Sequence, residues 1–269
     1  MKWSDWNRIR GLRWYRFFAI SIIPQWLFLL WIRRSPDLID QFYTEGIFAW
    51  LSQLSIRLTA WIPFSVGDVF YAIGLYFVLK HLFYFKRLRL RATLIKTLGW
   101  FGILFFVFHL QWGFNYHQTP LSVQNNVSSR YSSEELEVFT QHLIQQTNQL
   151  HEKLAQNDSV VVEINYSNKQ IFGVASQAIQ KQHRYPTPNI KKSSFGLLLS
   201  YMGYGGYLNP FTLEAQVNTR KPKLRVLTTA AHEIAHQLGY AAEEEANFIA
   251  IDAAIKSDNA YMQYAGYHL

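Results

Sequence analysis

Apolar residues in this chain of 269 fall into two regimes, long runs up to Tyr116 and short periodic or alternating stretches after it. Thr97 to Tyr116 (TLGWFGILFFVFHLQWGFNY) carries no formal charge. At 1.5 Å per residue it is about long enough to cross a hydrocarbon core of roughly 30 Å. Trp100, Trp112 and Tyr116 stand near its ends, at the depth amphipathic rings prefer. Phe17 to Ile32, between Arg16 and Arg33, predicts a second span that tolerates Pro24. No small-residue cleavage site follows it, so it reads as a retained anchor and not as a signal peptide. Val69 to Phe85 predicts a third span, interrupted by Lys80, whose ammonium can snorkel to the nearer surface. The expected spans are about 15–32, 66–85 and 97–116. Gly46 to Phe64 mixes Ser52, Gln53, Ser55 and Arg57 into an apolar run and predicts an interfacial helix at about 46–62, with a fourth span as the competing reading.

Beyond residue 117 the pattern is that of a folded soluble domain. Ser132-Ser133-Glu134-Glu135 has the form of a capping box, followed by Leu136, Phe139, Leu143 and Leu150 at roughly helical spacing. Val160 to Ile164 is β-branched and predicts a strand, and Gly173 to Gln182 a helix that ends before Pro186. Ser194 to Tyr201 and Phe211 to Val217 predict strands around the turn-rich Gly203-Tyr204-Gly205-Gly206. Leu224 to Leu238 and Glu243 to Ile255 predict two helices separated by Gly239.

Charge sharpens this division. Residues 1–113 hold 14 Lys/Arg against 5 Asp/Glu, whereas residues 114–269 hold 12 against 13. The basic excess therefore flanks apolar runs and does not form the solvated face that nucleic acid requires, so no nucleic-acid partner is expected. Lys86, Arg87, Arg89, Arg91 and Lys96 place the loop between the last two spans in the cytoplasm, with Lys2, Arg8, Arg10, Arg13 and Arg16 placing the N-terminus there too. The C-terminal domain is then extracytoplasmic. The absence of cysteine excludes disulfides, thiolate metal sites and cysteine nucleophiles.

The candidate chemistry lies in His232-Glu233-Ile234-Ala235-His236. Two histidines four apart project from one helix face and can grip one ion. Zinc accepts neutral imidazole and keeps a position open for catalysis. Glu233, one step round the helix, suits a general base that takes a proton from water acidified from a pKa of 15.7 to about 7. The bare pattern arises by chance in roughly one chain in a hundred of this length. Its surroundings narrow it further, because Leu227 to Leu238 holds no charge besides Glu233 and reads as a buried helix. Glu243 is the preferred third ligand, with Asn247 one turn on to orient it, and Glu244 and Glu245 are the alternatives. Phe211 to Asn218 is the candidate edge strand for extended substrate, on which Glu214 would meet a substrate amine or face solvent. Tyr201, Tyr204, Tyr207, Tyr240 and His183 are candidate oxyanion donors, each more simply read as packing. His109 and His117 read as membrane-boundary residues. No Gly-x-Ser-x-Gly elbow, P-loop or complete dinucleotide fingerprint is present.

Residues Tyr201 to Ala250, together with Pro63-Phe64-Ser65-Val66-Gly67-Asp68 and Trp112-Gly113-Phe114-Asn115-Tyr116, resemble a bacterial membrane-protein family, domain of unknown function 3810. The resemblance covers nearly the whole chain. It implies a three-span protein with an outward His-Glu-x-x-His domain, and no substrate. It also implies further residues after position 269, so a shortened member or a fragment is expected. A looser similarity runs to zincin peptidases of the glutamate type, whose third ligand stands in a Glu-x-x-Ala-Asp helix. Glu243 to Asn247 keeps that register with Asn in place of Asp, and the interval from His236 to Glu243 is shorter than in most of that group.

The expected architecture is α+β. Three transmembrane helices lie in residues 1–116, followed over 117–269 by a zincin-like domain with a small mixed or antiparallel sheet and an active-site helix. The expected function is that of a multi-pass zinc metallohydrolase of the bacterial cytoplasmic (inner) membrane, a peptidase using Glu233, with the lipid bilayer and a peptide or protein substrate as partners. The alternatives are a receptor or assembly protein that keeps a structural zinc helix, and a zinc hydrolase of non-protein envelope material.

Overall fold

The computed structural model describes residues 3–84, 90–128, 130–157, 159–183 and 187–268. The basic residues Lys2, Lys86, Arg87 and Arg89, as well as Phe85, Pro186 and Leu269, lie outside them. The protein is mostly helical. Its elements are α1 (Trp3–Ile32), α2 (Pro36–Leu38), a wide-turn π-helical segment (Ile39–Phe48), α3 (Ala49–Thr59), α4 (Val66–Tyr84) and α5 (Leu90–Gln111). After these come α6 (Leu121–Gln124), α7 (Ser133–Ala155), α8 (Asn168–Gln182), β1 (Ile190–Lys192), α9 (Gly196–Tyr201), β2 (Gly206–Leu208) and β3 (Ala215–Val217). Three helices close the chain: α10 (Lys223–Gln237), α11 (Glu243–Ile255) and α12 (Ala260–Tyr267).

Two compact units emerge, one formed by Met1–Leu51 with Val69–Gln118, the other by Ser52–Asp68 with Thr119–Leu269. Among the described residues the first contains three helices long and apolar enough to cross a membrane, Leu12–Ile32, most of Val66–Phe83, and Leu90–Gln111. The last begins seven residues before Thr97, because Arg91 and Lys96 are charged without being helix breakers, and it stops at Gln111, where Gly113–His117 forms a tight 3-10 turn. Glycines bring α1 and α5 together: a Cβ on Gly99 would stand 2.7 Å from the Tyr15 carbonyl oxygen, and one on Gly102 would meet the Phe18 carbonyl. Small residues at a helix contact allow such close backbone approach. The Tyr43 hydroxyl donates to the Leu110 carbonyl at 3.1 Å and ties the π-helical segment to the end of α5.

The second unit is built around α8, α10, α11 and α12. Ile171, Ile179, Leu227, Ile234 and Met262 are fully buried among them, each burial worth about 1.5–3 kcal/mol. Ala230, Ala231 and Ala235 on α10 and Ala246, Ala250, Ala253 and Ala254 on α11 are buried in the same core, small enough to let the two helices lie close. The capping box expected at Ser132 is present: its hydroxyl accepts from the Glu135 N–H, and the Glu135 carboxylate accepts from the Ser132 N–H.

The sheet is mixed and has three strands in the order β1-β3-β2, with β1 parallel and β2 antiparallel to β3. It differs from the pattern read in the sequence in three places. Ser194 to Tyr201 contains the helix α9, because the run Leu197-Leu198-Leu199 buries one side only, with Leu199 inside and Leu197 and Leu198 outside. Val160 to Ile164 is irregular chain with Val161 80 % exposed. Within Phe211 to Val217 only Ala215–Val217 is strand, since Leu213 takes a left-handed φ of 51° that ends the extended run.

Candidate metal centre

Helix α10 and its exit turn build the centre. Gly239 has φ 110°, a conformation that costs only glycine nothing. Its N–H donates to the His236 carbonyl at 2.8 Å and the Tyr240 N–H to the Ala235 carbonyl at 3.3 Å. This paired closure is a Schellman motif. It reverses the chain within a few residues and starts α11 at Glu243. It also brings the Tyr240 carbonyl oxygen to 2.7 Å from His236 Nδ1.

His232, His236 and Glu243 converge. Each offers one ligand atom, and these atoms lie within 4.8 Å of one another. His232 Nε2 is 3.2 Å from Glu243 Oε2, and His236 Nε2 is 3.6 Å from Glu243 Oε1. The far side of each ring is tethered, His232 Nδ1 to Asn247 Oδ1 at 2.9 Å and His236 Nδ1 to the Tyr240 carbonyl. A carbonyl only accepts, so His236 Nδ1 carries the proton and, in the neutral ring, Nε2 presents its lone pair. The same holds for His232 against the Asn247 oxygen. Burial foremost, then the neighbouring His236, lowers the His232 pKa and favours that neutral ring. Two imidazole lone pairs then face carboxylate oxygens, acceptors aimed at acceptors. A cation between them resolves the clash, and two nitrogens with one carboxylate form a donor set that zinc accepts.

Glu233 lies beside this cluster, 3 % exposed, with Oε2 lacking a hydrogen-bond partner among the described residues. Burial first, and Glu243 second, push its carboxyl well above the usual carboxylate range. It packs on β2, where a Cβ on Gly206 would stand 2.6 Å from Glu233 Oε1 and 2.5 Å from the Gln216 carbonyl.

The alternative acids are engaged elsewhere or face away. Glu245 accepts from the Leu121 N–H at 2.6 Å and holds the start of α6. Glu244 is exposed and not among the converging groups.

With this geometry in view, comparison with known proteins adds one match. The sequence model of a family described as protein of unknown function, DUF3810, matches residues 43–269. The chain belongs to the DUF3810 family. No curated protein and no solved structure matches it.

In this DUF3810 protein several candidate residues serve other purposes than those read from the pattern. Glu214 is fully buried in front of the N-terminus of α4. Its Oε2 accepts from the Gly67 N–H at 2.6 Å and the Thr212 hydroxyl at 3.1 Å, and its Oε1 from the Val66 N–H at 3.3 Å. It therefore neither binds a substrate amine nor faces solvent. Asp68 is buried too, accepting from the Ser194 N–H at 2.5 Å and the Tyr207 hydroxyl at 2.5 Å. That bond engages Tyr207, while Tyr201 and Tyr204 are exposed and His183 and Tyr240 pack ring to ring at 6.3 Å. The substrate strand expected at Phe211 to Asn218 falls on β3, which is paired on both sides; β1 and β2 are the edges, and β2 is the one beside Glu233. His109 Nδ1 donates to the Phe105 carbonyl at 2.8 Å and takes no part in a metal cluster among the described residues.

Two positioning residues escaped the sequence reading. Gln237 is fully buried, donates to the Leu213 and Asn189 carbonyls and accepts from the Asn189 N–H, so it pins the end of α10 to the sheet next to His236. Gly206 is the other. Its place in a Gly-Gly pair signalled a turn, not a close approach to Glu233.

Proposed function

We propose that this protein is a membrane-anchored, zinc-dependent metallohydrolase acting on peptide bonds, with a zincin-like catalytic domain. The observation that carries the reading is the convergence of two imidazole Nε2 atoms and the Glu243 carboxylate, each imidazole tethered through Nδ1, next to a buried Glu233 with an unpartnered oxygen. His232, His236 and Glu243 would hold the metal. When bound, zinc supplies Lewis acidity and brings the pKa of water toward neutrality. Asn247 and the Tyr240 carbonyl fix the ring orientations of the two histidines. Glu233 Oε2 is the atom that takes the proton of the attacking water and passes it to the departing amine. The free edge of β2, beside Glu233, suits an extended peptide added as a further strand.

Membership of residues 52–68 in the same unit as 119–269 supports the topology. Between them the chain runs through α4 and α5, and two crossings return it to the side it left. With the Lys/Arg bias of the flanks, that side is the extracytoplasmic face of a bacterial inner membrane.

The test is metal content with paired variants in purified full-length protein. The wild type is expected to carry about one zinc and to cleave members of a peptide library. Glu233→Gln should keep the zinc and lose about 10²–10⁴-fold in rate, and His232→Ala should lose both. Wild type that purifies free of metal under chelator-free conditions, or a fully active Glu233→Gln, rejects the reading.

A further inference from the structure

Helix α9 carries apolar side chains where a water-facing helix would carry polar ones. Leu197, Leu198, Tyr201 and, at the C-cap with helical dihedrals, Met202 are 55, 57, 83 and 57 % exposed, and the buried Leu199 lies on the opposite side. At 100° per residue these four positions occupy one continuous arc of the helix. Contiguous exposed apolar surface of this kind marks an interaction site.

Three observations say what covers it. First, α9 begins two residues after Ser194, whose N–H is bonded to Asp68 in the first turn of α4. Ser193 Oγ reaches the same carboxylate at 3.3 Å. Within the C-terminal unit the arc therefore starts no more than a few residues' reach from the point where a span-length apolar helix begins. Second, the segment leading into that helix exposes Trp61 and Phe64, and Lys191 anchors it through the Thr59 and Ile62 carbonyls. Third, the Arg220 side chain passes the start of α9, 3.6 Å from where a Gly196 Cβ would stand. Arg220 is itself exposed, so with its stem packed at the start of the helix its charge can extend to anionic headgroups.

We propose that α9 is a membrane-dipping helix, whose exposed face inserts into the outer leaflet and seats the C-terminal unit on the bilayer that α4 enters. Met202 is followed within four residues by Gly206, which packs against Glu233. The seated helix thus runs directly into the strand beside the catalytic carboxylate, so the centre works on chains presented at the lipid surface. The proposal rests on the reading that α4 and α5 cross a membrane.

The chain has no cysteine, so single-cysteine variants of the full-length protein can be spin-labelled without background. Labels at Leu198→Cys and Tyr201→Cys, in nanodiscs containing zwitterionic and anionic lipid, are compared with Leu104→Cys inside α5 and Val138→Cys on the exposed side of α7. Power saturation against oxygen and against a water-soluble nickel chelate reads the surroundings. The expected result is an oxygen-to-nickel ratio at 198 and 201 on the side of Leu104, reversed relative to Val138. Labels at 198 and 201 that match Val138 overturn the proposal, and so do labels shielded from both reagents, which would mean a covering protein or a second copy. An aqueous signal at Leu104 would instead remove the membrane reading itself and the proposal with it.

Discussion

Two carboxylates in the C-terminal unit, Glu214 and Glu233, are equally deep, at 0 and 3 % exposure, and differ in what surrounds them. Glu214 meets only donors: the N–H groups of Val66 and Gly67, the Thr212 hydroxyl and the Gln216 amide. It completes the first turn of α4, where a helix leaves N–H groups without intrahelical partners and favours negative charge. Glu233 keeps an oxygen with no partner among the described residues, beside a second carboxylate and two imidazoles that present lone pairs. Burial alone therefore does not mark a functional acid. What separates the structural carboxylate from the candidate catalytic one is whether its surroundings already satisfy it.

The sharpest way to break this contrast is by stability. Glu214→Ala strips buried N–H groups of a charged acceptor, and each hydrogen bond to a charged group is worth about 1.5–3 kcal/mol, so a loss of about 3 kcal/mol or more is expected. For a unit of this size that lowers the thermal midpoint by roughly 6–12 °C. Glu233→Gln removes an unsatisfied, desolvated carboxylate and should leave the metal-free midpoint level or higher. Thermal melts of both variants in detergent decide it, and a fall in Glu233→Gln as large as that in Glu214→Ala would erase the distinction.

Gly206→Ala probes the contact directly. The added methyl must displace Glu233 or the β2–β3 pairing, and overpacking of this sort costs about 1–3 kcal/mol. The expected signature is a lower melting midpoint and a reduced rate with zinc content unchanged. A variant that turns over like the wild type would show that Glu233 is not held in place by β2.

Much of the candidate centre was legible because helices announce themselves over many residues. The apolar period of α10, the break at Gly239 and the acidic start of α11 set the boundaries within a residue and brought Glu243 back toward the histidines. The choice among Glu243, Glu244 and Glu245 needed coordinates, since it depends on which carboxylate the Leu121 N–H occupies. Strands of three residues leave almost no periodic trace, and the short apolar run of α9 fits a strand as well as a helix. Glu214 was misread for a related reason. Alternation tells that a side chain points to one face of a strand, and it does not tell that the start of α4 covers that face.

Asn247 tests whether the tether on His232 matters as the Tyr240 carbonyl does on His236. Removing a partner that orients a ligating histidine typically costs 10–100-fold in metal affinity, so Asn247→Ala should weaken zinc by that factor in competition with a chelator. Asn247→Asp, which keeps an acceptor opposite Nδ1, should hold zinc at least as well as the wild type. An unchanged affinity in Asn247→Ala would make the 2.9 Å contact incidental.

The smallest expected effect uses the same desolvation on a base. Burial lowers the His183 pKa, opposed by Asp252, so the folded unit resists charging this imidazole while the unfolded chain does not. A depressed folded pKa contributes stability that is complete above about 6.5, the ordinary histidine value, and is lost as the pH falls through the folded value. The melting midpoint should therefore decline below that pH, and His183→Asn should remove part of the decline and leave the rest, since the His232 pKa is lowered for the same reason. Identical pH profiles for wild type and His183→Asn would mean that the ring packed against Tyr240 stays hydrated, and that desolvation in this unit is confined to α10.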